Sequence, residues 1–357
     1  MKKKLFILAT LLSVLMLALV ACGGGTTPEP TEPAAQPTEE AMEPTEEPMD
    51  EPTEEPMEEP TEEPMEEPTE EPMEEPTEES MEETTLGTED DPIVMSFVPS
   101  GDTQDIIVSG DQIAEMITER TGFVIEANVG TDFAAVREAM GAGQAHIGWL
   151  NTFNYVLAAE TYGVDVALVT ERFGLTTYNG QINVNVDAGI EELDDLAGKV
   201  MCWVDPNSTS GYIIPRIMLQ ANGINPDEDF AEQVEAGSHN NVIIQVYNGD
   251  CDAGATFVDA RSAVEEEFPD VNERVEVLAT TTDIPNDSVA FIAEFPEDMR
   301  QQIVDALLDI ASTEEGQEAL NTLYSIEGLQ EADDSFYDPF RADLSRAGID
   351  IEELAGG

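Results

Sequence analysis

The residues best suited to chemistry lie together in Asp205-Pro206-Asn207-Ser208-Thr209-Ser210-Gly211-Tyr212. A β-rich run, Lys199–Val204, precedes them, and an apolar helical pattern continues from Ser210 to Ala221. That order sets the hydroxyls at a helix N-terminus, where unpaired N–H groups and partial positive charge already favour an anion. One Ser or Thr at such a place is an ordinary cap. Three consecutive hydroxyls ahead of a glycine exceed what capping needs and suit a tetrahedral oxyanion. The segment is not a nucleotide-binding P-loop, because the Gly-x4-Gly-Lys spacing is missing. His239, one of two histidines in the chain, stands before a further helical pattern at Asn240–Tyr247. It can cap that helix or donate an N–H to an anion. Neither His146 nor His239 has His or Cys neighbours at ligand spacing, and no Gly-x-Ser-x-Gly elbow surrounds the serines. Catalysis, a metal site and a cofactor are therefore not expected.

These residues need elements to position them, and the sequence from Pro92 onward alternates strands and helices. Strand patterns at Ile93–Val98, Phe123–Val129, His146–Leu150 and Val164–Thr170 are separated by helical patterns at Thr103–Thr121, Phe133–Met140 and Phe153–Tyr162. Another set follows, with strands at Gln181–Val186, Val200–Val204, Gln233–Ala236, Ala253–Phe257, Val275–Ala279 and Val289–Ala293. Its helices include one expected at 259–268, with Asp259 as a candidate N-cap. The chain closes with helices near Glu297–Ala311, Glu314–Tyr324 and Asp338–Ala347. The pattern reads as parallel α/β units in two lobes, 92–178 plus 285–357 and 179–284, joined by a hinge. Ligands in such sheets bind beyond the carboxyl ends of the strands, here a cleft between lobes. Trp149 and Trp203 flank that cleft in sequence and are assigned to the core.

The body resembles the periplasmic phosphonate-binding proteins of ABC importers, a family with phosphite-binding members. The resemblance rests on DPNSTSGY (205–212), GSHNN (237–241), DAGATFVDAR (252–261), IPND (284–287) and the Leu323-Tyr324 to Tyr337-Asp338-Pro339 region, in one order. It implies the type II periplasmic-binding-protein fold, two α/β lobes closing on a ligand. It further implies that Ser208, Thr209, Ser210 and His239 bind the oxyanion, with Phe133 and Tyr178 as aromatic walls. Phe133 stands where relatives commonly have tyrosine, so one hydroxyl is lost. The family's amine-holding acids fall on Asp259 and Asp287, the former shorter than the glutamate of some relatives. Asp287 could instead accept a hydrogen from a protonated ligand oxygen.

Charge sets the outer limits. The 357 residues carry a formal net charge of −65, which excludes the basic face that nucleic acid or an anionic membrane surface requires. Residues 1–22 contribute +3, residues 23–91 contribute −28, and residues 92–357 contribute −40. Lys2–Lys4, the apolar run Leu5–Ala21 and the ending Leu-Val-Ala-Cys read as a lipoprotein signal peptide at 1–21, with lipidation at Cys22. The rival reading of that apolar run is a transmembrane anchor. From Met42 to Met81 an eight-residue unit close to Met-Glu-Glu-Pro-Thr-Glu-Glu-Pro repeats. Its prolines forbid a helix, so 22–91 is expected to be a disordered acidic tether, with a reach of up to ~200 Å at ~3.1 Å per residue. Cys202 and Cys251 each lie at or beside a strand of one region, which suits a disulfide or two small buried thiols. An acidic body can still bind an anion, since at ~0.15 M salt the Debye length is about 8 Å and distant carboxylates are screened.

The expected function is that of a monomeric, extracytoplasmic, lipid-anchored binding protein. It would capture a phosphonate, phosphite or phosphate and pass it to an ABC permease with its ATPase. The alternatives are a binding protein for another small solute (a sulfonate or an amino acid) and an extracellular sensory lipoprotein.

Overall fold

The computed structural model describes residues 85–351. The leader, Cys22 and most of the tether lie outside the described residues. Strand β1 (Ile93–Phe97) leads to α1 (Thr103–Thr121), β2 (Ile125–Val129), α2 (Phe133–Gly141), β3 (Ile147–Leu150), α3 (Thr152–Tyr162) and β4 (Asp165–Glu171). The chain then crosses into a second layer with β5 (Thr177–Asn185), β6 (Val200–Trp203), α4 (Ile214–Ala221), β7 (Glu232–Glu235), α5 (His239–Asn248), β8 (Ala253–Phe257), α6 (Val271–Arg274) and β9 (Val275–Pro285). It returns with β10 (Ser288–Phe291), α7 (Glu297–Ala311), α8 (Glu314–Tyr324), β11 (Gly328–Glu331) and α9 (Asp338–Arg346).

Each sheet contains an inner strand of apolar residues throughout, β3 in the first and β6 in the second. All four residues of β3 are buried, and Trp149 stacks on Phe97 of β1 with ring centroids 5.6 Å apart. Helix α1 covers this sheet with Ile106, Ile113 and Ile117, spaced to share one face. Asp102 caps its start by accepting from the Gln104 and Asp105 N–H groups, and Gly122 ends it in the left-handed conformation (φ 79°).

The strand orders are β11-β4-β10-β3-β1-β2 and β7-β6-β8-β5-β9. Both sheets are mixed, which corrects the expectation of purely parallel units. β1 pairs parallel with β2 and β3, whereas β10 runs antiparallel to β3 and β4. In the second sheet β5 runs antiparallel to β8 and β9. The cause is the double crossover. β4 ends at the interlobe connection and β10 begins there, so the two must run in opposite directions; the same holds for β5 and β9.

The crossovers are short, 172–176 and 286–287. The first is a tight turn in which the Arg172 and Leu175 backbones exchange N–H···O bonds at 2.9 and 3.0 Å. Phe173 (φ 55°) and Gly174 (φ 69°) both adopt positive φ, the conformation that matches the twist of flanking strands. Cys202 and Cys251 form a disulfide that joins β6 to the residues before β8. Trp149 and Trp203 are both buried, and the Trp203 indole donates to Gln233.

Two local expectations differ from the structure, and one strand has no counterpart among them. Asp259 does not cap a helix at 259–268: it lies in the left-handed region (φ 62°) without a side-chain cap bond, ahead of a 3-10 turn at Ala260–Val264. Helix α4 does not start at Ser210, because a wider π-type turn, Thr209–Ile213, precedes it. Edge strand β11 carries no period-2 pattern long enough to have been expected.

Candidate functional site

Beyond β6 the chain makes the turn Asp205-Pro206-Asn207, held by the Asp205 carboxylate, which accepts from the Asn207 N–H at 2.7 Å. This delivers Ser208 as N-cap, its Oγ accepting from Gly211 N–H at 3.2 Å. Gly211 is required by space: a Cβ there would sit 2.3 Å from Val204 Cγ2. Ser208, Thr209 and Ser210 are all buried in this first turn.

Thr209 does more than line the turn. Its Oγ1 accepts from Asn151 Nδ2 at 2.8 Å and from the Phe153 N–H at 2.9 Å, both at the carboxyl end of β3 in the other lobe. With both lone pairs engaged, the hydroxyl can only donate. The same seam is closed by Asn151 Nδ2 and Asn154 Nδ2 donating to Asn207 O, and by His239 N–H donating to Ser100 O at 3.1 Å.

His239 opens α5 behind its N-cap Ser238. Its Nδ1 accepts from the Phe257 N–H at 3.1 Å, which assigns the ring proton to Nε2 and makes that nitrogen a donor. Burial, and secondarily the Arg172 charge, push its pKa down to about 3. The imidazole is therefore a neutral hydrogen-bond donor, not a cation.

The positive charge comes from Arg172, in the first crossover. Its Nε donates to the Tyr324 carbonyl at 2.9 Å, and its Nη2 donates to Asp287 Oδ2 at 2.7 Å. The guanidinium lies over the Tyr178 ring at 5.3 Å and the Phe257 ring at 5.8 Å, a cation–π arrangement that keeps it oriented. Asp287 belongs to the second crossover. Burial raises its pKa against the lowering effect of Arg172, and its Oδ1 is buried with no hydrogen-bond partner. Tyr178 is buried as well; desolvation first, then the Asp287 charge, raises its phenol pKa.

Ser100, Phe133 and Asn151 of the first lobe and Ser208, Thr209, Ser210, His239 and Phe257 of the second line a cavity of about 10 Å³, room for about one water molecule, with Tyr178 at the start of β5 beside them. Arg172 and Asp287 line it from the crossovers. Of the ligand candidates read from the sequence, the structure brings all but Asp259 to this one cavity. Asp259 is exposed, 4.0 Å from Arg261. Arg172, Asn151 and Ser100 belong to no sequence motif, and Phe257 lies within DAGATFVDAR (252–261) without having stood out there as a ligand candidate. Ser100 and Asn151 could have been found from their position just past β1 and β3, where α/β sheets place ligand contacts. For Arg172 the signal was weaker: one of few bases in an acidic body, set between a strand and a turn.

The cavity offers hydroxyl and imidazole donors around a buried guanidinium, an oxyanion's complement. The sequence profile of the ABC transporter phosphonate periplasmic substrate-binding proteins matches residues 95–337. The chain belongs to this family. It is 31% identical over 176 residues to the phosphate-import protein PhnD of Mycolicibacterium smegmatis, across 46% of this chain and 54% of that protein. The chain thus spans about half the length of that relative. It is 24% identical over 242 residues to the phosphonates-binding periplasmic protein of Escherichia coli, across 66% of this chain and 68% of the other. Among solved structures, a phosphonate transporter binding component from Pseudomonas aeruginosa superposes with a TM-score of 0.67 at 20% identity, across 72% of this chain and 87% of that one. PhnD1 of Prochlorococcus marinus, solved with methylphosphonate, gives 0.66 at 14% identity, across 72% and 98%. At such identities these likenesses establish the fold, and the expected type II periplasmic-binding architecture holds. The family is one of transporter binding proteins rather than enzymes.

Proposed function

We propose that this chain captures a small phosphorus oxyanion outside the cytoplasmic membrane and hands it to an ABC permease driven by its ATPase. The observation that carries this reading is the cavity itself. Hydroxyl and imidazole donors of the second lobe face Ser100, Phe133 and Asn151 of the first around a buried guanidinium, so a captured anion would sit between the lobes. As it stands the cavity has about 10 Å³, room for about one water molecule, so the lobes would part to admit even phosphate, phosphite or a short phosphonate. Ser208, Thr209, Ser210 and His239 would hold the phosphorus oxygens, Tyr178 and Phe133 would wall the ligand, and Asp287 would sit beside it. The lobes would divide near 178/179 and 284/285 and close about the crossovers.

The leader sequence supports a lipid anchor on Cys22, and the repeat of 42–81 supports a flexible spacer that lets a monomeric body reach its permease. The anchor is tested in cells by a Cys22→Ala variant, which should appear in the soluble rather than the membrane fraction. For the ligand, calorimetric titration of the purified chain with methylphosphonate, aminoethylphosphonate, phosphite, phosphate and sulfate is decisive. Binding of at least one phosphorus oxyanion is expected, and failure of all of them would remove the reading.

A further inference from the structure

The Arg172–Asp287 pair has an asymmetry that the oxyanion reading does not use. Arg172 is engaged twice, through Nε to Tyr324 O and through Nη2 to Asp287 Oδ2. Asp287 is engaged on one side, and its Oδ1 is buried with no partner in the protein although the residue lines the cavity. A buried carboxylate oxygen left unpaired is costly, and beside an anion it also repels. One arrangement removes both penalties: a ligand oxygen that carries a hydrogen and donates it to Oδ1.

We propose that Asp287 makes a ligand O–H a requirement for tight binding, so that the site selects protonated phosphorus oxyanions over fully deprotonated ones. This rests on the oxyanion reading above and deepens it. An ammonium group is the other donor that could reach Oδ1; with the Asp287 charge already paired to Arg172 at 2.7 Å, Oδ1 needs a hydrogen rather than a second cation, and an aminophosphonate probe separates the two donors.

The charged and titratable groups around Asp287 are Arg172, Tyr178, His239, Tyr324 and Tyr337. Burial raises the pKa of all three tyrosines, and His239 is held at about 3. Asp287 is raised from the usual carboxylate value but opposed by Arg172. Inorganic phosphate, which keeps an O–H across mild acid to mild base, separates the ligand's own proton from any titration of these groups.

The test is titration calorimetry of the full chain and of Asp287→Asn at about pH 6 and about pH 9, with methylphosphonate, inorganic phosphate, sulfate and aminoethylphosphonate as probes. Methylphosphonate loses its last O–H over this range, phosphate keeps one, and sulfate has none throughout. The native chain should lose about tenfold or more in methylphosphonate affinity towards high pH, keep phosphate, and discriminate against sulfate by about 10- to 100-fold. In Asp287→Asn the amide keeps an acceptor for Arg172 and turns a donor towards the cavity, so the methylphosphonate pH effect should vanish and sulfate should gain. Sulfate binding as well as phosphate in the native chain, or an unchanged ratio in the variant, would overturn the proposal and leave the oxyanion reading standing. Loss of aminoethylphosphonate alone in the variant would overturn it in favour of an amine partner. Failure of every phosphorus oxyanion to bind either protein would overturn both.

Discussion

The turn 208–211 and the crossover pair Arg172–Asp287 line the same cavity by opposite means. The turn is contiguous in sequence, uncharged and internally satisfied, with Ser208 capping its own helix and Thr209 bonded to the other lobe. The pair comes from positions 115 residues apart, is joined by a 2.7 Å ion-pair contact, and leaves one oxygen without a partner. A satisfied, neutral turn can accept any tetrahedral oxyanion of suitable size. A charged pair with an open valence discriminates among them. Affinity and selectivity are thus carried by different parts of the site, and each can be broken separately.

The largest effect is expected at Arg172. Arg172→Ala removes the buried cation and strands Asp287, a loss of roughly 3–5 kcal/mol in stability together with oxyanion binding. The double variant Arg172→Met with Asp287→Leu should recover most of the melting temperature, since replacing a buried ion pair with apolar volume is often neutral. It should not recover binding. Recovery of binding in the double variant, read by calorimetry, would reduce the pair to a structural prop.

At Thr209 the expected effect is smaller. Thr209→Val leaves Asn151 Nδ2 and the Phe153 N–H without their shared acceptor in the joined-lobe arrangement, so it should weaken both lobe closure and binding, by about 10- to 100-fold. Thr209→Ser keeps the oxygen and should stay within a few-fold of the native affinity. Ser208→Ala removes a helix cap worth ~1 kcal/mol and should weaken binding without affecting closure, which small-angle scattering would distinguish. If Ser208→Ala and Thr209→Val proved indistinguishable by scattering, Thr209 would have no special part in joining the lobes.

The contrast between the two regions also explains what could be read from the amino-acid order. Helices Thr103–Thr121, Glu297–Ala311 and Glu314–Tyr324 appear with their expected bounds, because their apolar spacing and capping residues are local signals. The hydroxyl turn is local too. The mixed strand directions were not legible, since they follow from where the chain crosses between lobes. Arg172 escaped notice for a similar reason: a single arginine between a strand and a turn acquires meaning only when residues 286–287 fold back beside it. Asp259 shows the converse, a residue whose expected place in a helix start gave way to a left-handed turn and an exposed side chain.

His239 offers a way to weigh burial against recognition. Its pKa of about 3 lies well below the ordinary 6.5, so the unfolded chain binds a proton that the folded chain refuses. Its contribution to stability is whole above the unfolded value and is lost as pH falls from 6.5 towards 3, at up to about 1.4 kcal/mol per pH unit. His239→Gln, which keeps an acceptor for Phe257 N–H and a donor for the ligand, should flatten the fall in melting temperature between about pH 6 and about pH 4. An unchanged acid slope would mean that other groups dominate and that the imidazole titrates before unfolding.

The smallest effect concerns how the anion arrives. Asp102, Asp105, Glu266 and Glu267 line a groove that also contains Ser238 and Asn240, the neighbours of His239. Burial and the Asp102 charge raise the Asp105 pKa, which marks crowding of like charge at this rim. An approaching oxyanion meets repulsion there before it reaches the donors inside, so screening should help rather than hinder it. Association measured by stopped flow should therefore accelerate by about two- to threefold between ~0.01 and ~0.15 M salt, while dissociation, governed by the short donor contacts, stays nearly constant. Replacing Asp102 with Asn, which still caps α1, together with Glu266→Gln and Glu267→Gln should remove most of that salt response. A rate that falls with salt would mean that the Arg172 cation is felt outside the cavity, and the screened, short-range character assigned to the site would have to be given up.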